Sequence, residues 1–144
     1  VWTGAEARTS ELVRKVRELQ ERDPSTFEDA MGTLRAQAER FVDAFAAGDA
    51  AAVIAAADAY GEAMAALGRA AGAPIVEEHL QRVADLARQA GGAAKPSGAG
   101  GGDVAIAFFP DPSAAAEFES GCREHGLTLL NLQLGADGVL ELED

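Results

Sequence analysis

The segment Gly91-Gly92-Ala93-Ala94-Lys95-Pro96-Ser97-Gly98-Ala99-Gly100-Gly101-Gly102-Asp103 divides the chain into two unlike parts. Before it, apolar residues recur at helical spacing. After it come short apolar runs that read as strands. A flexible linker between two domains is the reading that glycine content alone favours. The few short elements downstream cannot bury their own apolar faces, however, so they need the upstream helices as a partner layer. Residues 1–144 are therefore expected to form one domain, with the glycine tract as a structured loop inside it.

Four helices are expected upstream. Leu12, Val13, Val16 and Leu19 share one face of a helix that Thr9 or Ser10 could cap and that ends before Asp23-Pro24. Ser25-Thr26-Phe27-Glu28 has the form of a capping box, in which the Ser oxygen and the Glu carboxylate satisfy free amides at a helix start. Phe27, Met31, Leu34, Ala38, Phe41, Val42 and Phe45 then form a stripe that ends at Gly48. Asp49 can cap a third helix, with Val53, Ala57, Tyr60, Met64 and Leu67 inward. Pro74 is expected to open a fourth, with Val76, Leu80, Val83, Leu86 and Ala87 inward and Gly91-Gly92 closing it. The aromatic set Phe27, Phe41, Phe45 and Tyr60 follows this spacing and is read as core.

Downstream, Val104 to Phe109 suits a buried strand, and Asp111-Pro112-Ser113 starts a helix with Ala115, Phe118 and Cys122 inward that ends at Gly126. Leu127 to Leu134 reads as a second strand, Gly135-Ala136-Asp137-Gly138 as a turn, and Val139 to Leu142 as a third strand. The fold class expected is α+β, a small, mainly antiparallel sheet packed on a layer of helices. Val1-Trp2-Thr3-Gly4 reads as the end of a strand running into a loop. With no initiator Met, it suggests a piece of a longer protein.

Glycines permit positive φ and let backbone N–H groups approach an anion, to which Ser97 adds a hydroxyl and Lys95 a charge. Two familiar phosphate motifs do not fit. A Walker A loop needs Lys and then Ser or Thr directly after its last Gly, whereas Asp103 and Val104 follow Gly102. A dinucleotide fingerprint runs from strand to helix, and the order here is reversed.

The stretch from Ala94 to Asp103, running into Val104-Ala105-Ile106-Ala107, resembles the third motif of the GHMP kinases. It is most similar to the phosphomevalonate kinase version, typically K-[SP]-S-G-A-G-G-G-D-C-G-I-A, in which an acidic residue follows the third Gly. Val104 and Ala105 depart from the usual Cys and Gly. Trp2-Thr3-Gly4 followed by Thr9-Ser10 looks like the W-T-G loop that leads into a helix in this family.

The resemblance implies a two-domain, ATP- and Mg2+-dependent enzyme that converts phosphomevalonate to diphosphomevalonate, and the lack of an apolar run long enough to span a bilayer and of a signal-like start leads us to expect it in the cytoplasm. This chain would be its ferredoxin-like C-terminal domain. The main nucleotide loop, the conserved Lys and the catalytic Asp would lie in an N-terminal domain, which would also hold most of the ATP and Mg2+. Here Ser97, Gly98, Ala99, Gly100 and Gly101 would face nucleotide or substrate. Lys95 and Asp103 would either touch substrate or hold the loop's shape. Thr9 and Ser10 would either meet substrate phosphate or serve only as a helix cap. Mevalonate kinase, another GHMP kinase, or a stand-alone binding module are the alternatives. No catalytic or metal-ligating residue is expected in this chain, which alone should be inactive.

Twelve Lys and Arg against twenty-four Asp and Glu give a formal charge of -12, which disfavours nucleic acid and anionic membranes as partners. No uninterrupted apolar run is long enough to span a bilayer, and no signal-like segment opens the chain. Cys122 is the only cysteine and reads as a packed thiol. His79 and His125 read as solvated or capping groups rather than metal ligands. An apolar edge near Val1 and Trp2 is compatible with weak self-association as a homodimer.

Overall fold

A computed structural model of the chain describes residues 1–132. In these residues the order is α1 (Thr9–Arg22), α2 (Pro24–Ala46), α3 (Ala50–Ala71), α4 (Glu78–Gln89), β1 (Ala93–Pro96), β2 (Ala105–Phe108) and α5 (Pro112–Glu124). β1 and β2 pair antiparallel, with Ala93 opposite Phe108 and Pro96 opposite Ala105. Trp2 forms single antiparallel bridges to Val104 on one side and Thr128 on the other. A helical layer on a small antiparallel sheet is the α+β arrangement expected. Of the expected strand Leu127–Leu134, only Thr128 pairs within the described part; the turn and the strand after it lie outside the described residues.

The helix starts show which local signals win. Asp23 accepts from the Thr26 amide at 3.2 Å and begins α2, in place of the Ser25/Glu28 box. Pro24 has no N–H to satisfy and a φ suited to the first helical position, so the helix starts early and Ser25 falls inside its first turn. Asp49 caps α3 as expected, accepting from the Ala52 amide at 3.0 Å, and Asp111 caps α5 through the Ser113 and Ala114 amides. Thr9 and Ser10 do not cap α1: the cap position falls on Arg8, which makes no side-chain cap bond. Pro74 does not open α4 either. That helix begins at Glu78, capped by the Glu77 carboxylate on the His79 and Leu80 amides, and Pro74 stays in the preceding irregular stretch.

Two apolar clusters form the core. One joins Leu80, Val83 and Ala87 of α4 to Ala94, Ala105, and Phe118 and Cys122 of α5; the other joins Leu12 and Leu19 of α1 to Leu67 and Ala71 of α3 and to Ile75. Val76 packs against both and links them. The long stripe of α2 is only partly used: Phe27 and Leu34 pack on the second cluster, but Met31, Val42 and Phe45 are exposed, Phe45 by 68%. Phe45 therefore leaves the expected core set. α2 lies at the margin of the layer and meets chiefly α3, so half of its stripe has no partner among the described residues.

α3 is long and apolar enough to cross a membrane, with a mean hydropathy of 1.3 in its most apolar window. In this fold one side of it joins the core. Val53, Ala57 and Leu67 are buried, and Asp58 and Glu62, which interrupt its apolar run, pair with Arg88 of α4 at 2.7 and 2.5 Å.

Candidate functional site

The glycine segment is not a loop throughout. Its first part is β1, and the Ser97 amide donates to the Val104 carbonyl at 2.9 Å, which carries the hairpin one step further. The loop proper is thus 97–103, a hairpin tip rather than a linker. Ala-Ala-Lys-Pro has little strand preference of its own, and pairing with the apolar β2 makes it a strand.

The tip is anchored at three points. The Gly101 amide donates to the Ile75 carbonyl at 2.8 Å, the Asp103 amide to the Ala5 carbonyl at 2.7 Å, and the Thr3 amide to the Asp103 carbonyl at 2.8 Å. Gly100, Gly101, Gly102 and Asp103 all have positive φ, at 82°, 81°, 113° and 66°. Such a run suits glycine, and Asp is among the few residues that tolerate the left-handed region. At Gly100 a side chain would collide with the Ile75 backbone, and at Gly101 it would meet the Leu12 side chain. These supports, Ile75, Leu12 and Ala5, were not legible in the sequence, because nothing local marks a residue as the floor of a distant loop.

Ser97, Gly98 and Ala99 form the exposed crest, while Gly100 is buried. Among the described residues, no acceptor takes the amides of Gly98, Ala99, Gly100 or Gly102. The amides of Ser97, Gly101 and Asp103 are spent on holding the loop. Asp103 is fixed to the N-terminal segment through both backbone groups, and its carboxylate is exposed. That geometry fits the loop-shaping role.

Lys95 sits in β1, with its ammonium donating to its neighbour's carbonyl, Pro96 O, at 2.9 Å and lying 4.9 Å over the Tyr60 ring. Burial pushes its pKa below the usual lysine value. Among the described residues no carboxylate pairs with it. Thr9 and Ser10 are exposed on the first turn of α1, close to the tip because Leu12 of the same helix backs Gly101. With no side chain capping α1, the Thr9 and Ser10 amides have no acceptor among the described residues, while those of Glu11 and Leu12 donate to the Arg8 carbonyl.

Away from the loop, Cys122 is a buried thiol whose pKa burial raises. The His125 ring lies 2.8 Å from the Gly121 carbonyl at the end of α5, a capping contact. Among the described residues, no group of three or more His, Cys, Asp or Glu is placed to hold a metal ion.

The overall fold of the chain recurs in known proteins. The crystal structure of a Lin0012 protein from Listeria innocua superposes with a TM-score of 0.83 at 27% identity, covering 87% of this chain and 35% of that one. L. major mevalonate kinase in complex with R-mevalonate superposes with a TM-score of 0.77 at 20% identity, covering 86% and 36%, which shows the fold alone. The chain thus spans about a third of the length of each structure. No curated protein matches the sequence. The family model described as GHMP kinases C terminal matches residues 41–127, and the chain belongs to that family. The glycine hairpin tip lies inside the matched span.

Proposed function

We propose that the intact protein is an ATP-dependent phosphomevalonate kinase of the cytoplasm, and that this chain contributes the glycine hairpin tip to its active site. The observation that carries the reading is the exposed crest Ser97-Gly98-Ala99, whose Gly98 and Ala99 amides have no acceptor among the described residues, held on a rigid base. Phosphoryl transfer depends on positioning and on donors placed where charge develops, and backbone amides on a fixed turn supply both. The Ser97 hydroxyl and the open first turn of α1 at Thr9 and Ser10 would add donors to a bound phosphate. Lys95 is the nearest cation along the chain, but its ammonium faces Pro96 and Tyr60, so in this reading it does not touch the phosphate.

The Gly98 and Ala99 amides would hold a phosphate group, and among the described residues no group of three or more His, Cys, Asp or Glu is placed to hold a metal ion. Mg2+, most of the ATP and the groups that move the proton are assigned to the N-terminal kinase domain. Phosphomevalonate is favoured over mevalonate by the acidic Asp103 directly after the third glycine. Mevalonate is the second reading, because L. major mevalonate kinase shares the fold. Assay of the full-length protein with ATP against phosphomevalonate, mevalonate and homoserine decides between them. Turnover of phosphomevalonate alone is expected, and turnover of only one of the others overturns the assignment. The isolated 1–144 chain should show no turnover and no micromolar affinity for Mg-ATP by calorimetry.

A further inference from the structure

We propose that Lys95 is a positioning residue for the phosphate at the hairpin crest: its ammonium locks the Pro96–Ser97 peptide, and so fixes the backbone from which the Ser97 hydroxyl and the Gly98 amide project. The proposal rests on the reading of the crest as a phosphate site.

The Pro96–Ser97 peptide is the last link of β1 before the crest, and both of its ends are held. Its amide donates to the Val104 carbonyl at 2.9 Å. Bonded and non-bonded pairs alternate along an antiparallel ladder, so the next pair, Pro96 with Ala105, is a non-bonded one, and the Pro96 carbonyl points off the outer edge of β1 rather than toward β2. There it accepts from the Lys95 ammonium at 2.9 Å. A peptide is planar, so fixing its two ends fixes its rotation. Without the ammonium the plane can tilt, and the crest residues that follow tilt with it.

The packing around that edge leaves the charge of Lys95 unneutralised. α3 covers the edge: a Cβ added to its buried Gly61 would touch the Ala94 carbonyl oxygen and Lys95 Cβ, each at 3.4 Å. The lysine stem runs along this contact, and the ammonium rests 4.9 Å over the ring of Tyr60. Asp58 and Glu62 of the same helix pair with Arg88. β2 presents Ile106 opposite Lys95, and beyond it Phe108, which meets Phe41 of α2. α4 and α5 pack on the opposite face of the hairpin, against Ala94 and Ala105. Burial lowers the lysine pKa with no charged neighbour contributing, so the charge is lost in alkaline solution sooner than that of an ordinary lysine.

The contact and its consequence are read separately. In carbon-13-labelled chain 1–144, the Pro96 carbonyl resonance should move as pH is raised, with a midpoint below the ~10.4 usual for lysine, and should stay still in Lys95→Met. In the intact kinase, Lys95→Met should lower kcat/KM for phosphomevalonate about tenfold at neutral pH, mainly through kcat, because orientation is lost while no phosphate contact is removed. The parent's rate should fall in alkaline solution with the midpoint seen at Pro96. Lys95→Arg, which stays charged, should lack that fall and keep more activity than Lys95→Met. Tyr60→Phe, which keeps the ring and loses the phenolic hydroxyl, should retain the fall. A Pro96 resonance that does not follow Lys95, or a Lys95→Met enzyme with the parent's kcat and pH profile, overturns the proposal. If mevalonate or homoserine is turned over instead, the same profiles are measured with that substrate, so the substrate assignment can fail while the role of Lys95 stands. An intact protein that phosphorylates none of the three refutes the kinase reading and takes the positioning role with it.

Discussion

Replacing Gly100 by Ala isolates what holds the loop. A Cβ built there would fall 2.8 Å from the Ile75 carbonyl carbon and 2.9 Å from its Cγ2, closer than real Cβ contacts come, and it would be nearer still to the carbonyl oxygen. The φ of 82° also places an L side chain in the left-handed region, at a cost of about 1–2 kcal/mol. Relief requires the loop and Ile75 to part, which breaks the 2.8 Å bond from the Gly101 amide to the Ile75 carbonyl, a loss of about 1 kcal/mol. Ile75 is buried in the second core cluster, so it has little freedom to move away. The sum is about 2–3 kcal/mol, a large part of the ~5–15 kcal/mol that stabilises a domain. Urea unfolding of chain 1–144 followed by far-UV circular dichroism measures it as a fall in midpoint at constant slope. Gly98→Ala is the control, because nothing lies within 4 Å of its Cβ position and its φ is not positive; its stability should stay within about 0.5 kcal/mol of the parent's. Equal midpoints for the two variants would refute the claim that Ile75 is the floor of the loop.

The remaining expectations follow from particular side chains. Lys95→Met should not destabilise the fold. Because the folded-state pKa of Lys95 is lowered, the unfolded chain holds that proton more tightly, so stability should rise with pH as the solution approaches the unfolded value of about 10.4, and the variant should lose that rise. Arg88→Met should cost about 0.5–1 kcal/mol, less in high salt because the side chains are partly exposed, and a double-mutant cycle with Asp58→Asn should return only part of it as coupling, since Glu62 and Asp85 also pair with Arg88. Asp111→Ala should lower the urea midpoint at neutral pH by removing the α5 cap. The Ser113 hydroxyl and the Ala114 amide hold the Asp111 carboxyl below its ordinary range, so this contribution is present above about pH 3.9 and is lost below it, where parent and variant should converge. Phe45→Ser should leave the midpoint unchanged and reduce aggregation, and a clear loss of stability would mean that α2 packs more tightly than its exposed stripe indicates.

The sequence alone carried the elements whose signals are local. Helical periodicity with Asp49 and Asp111 at the caps placed α3 and α5, and the apolar run after Gly102 placed β2, because spacing, capping oxygens and bulk act within a few residues of themselves. The glycine motif also pointed to the family, since the run of amides it exposes depends on residue type and order. Tertiary structure decided what depends on distant partners. Ala93 to Pro96 became a strand only by pairing with β2, and the stripe from Met31 to Phe45 stayed half exposed because no described residue covers that side of α2. Within the site, the sequence could name Ser97 to Gly101 but could not say which amides face outward. That choice was made by Ile75 and Ala5, whose carbonyls take the Gly101 and Asp103 amides and leave those of Gly98 and Ala99 without an acceptor among the described residues, and a carbonyl's direction is fixed by the packing of the whole chain.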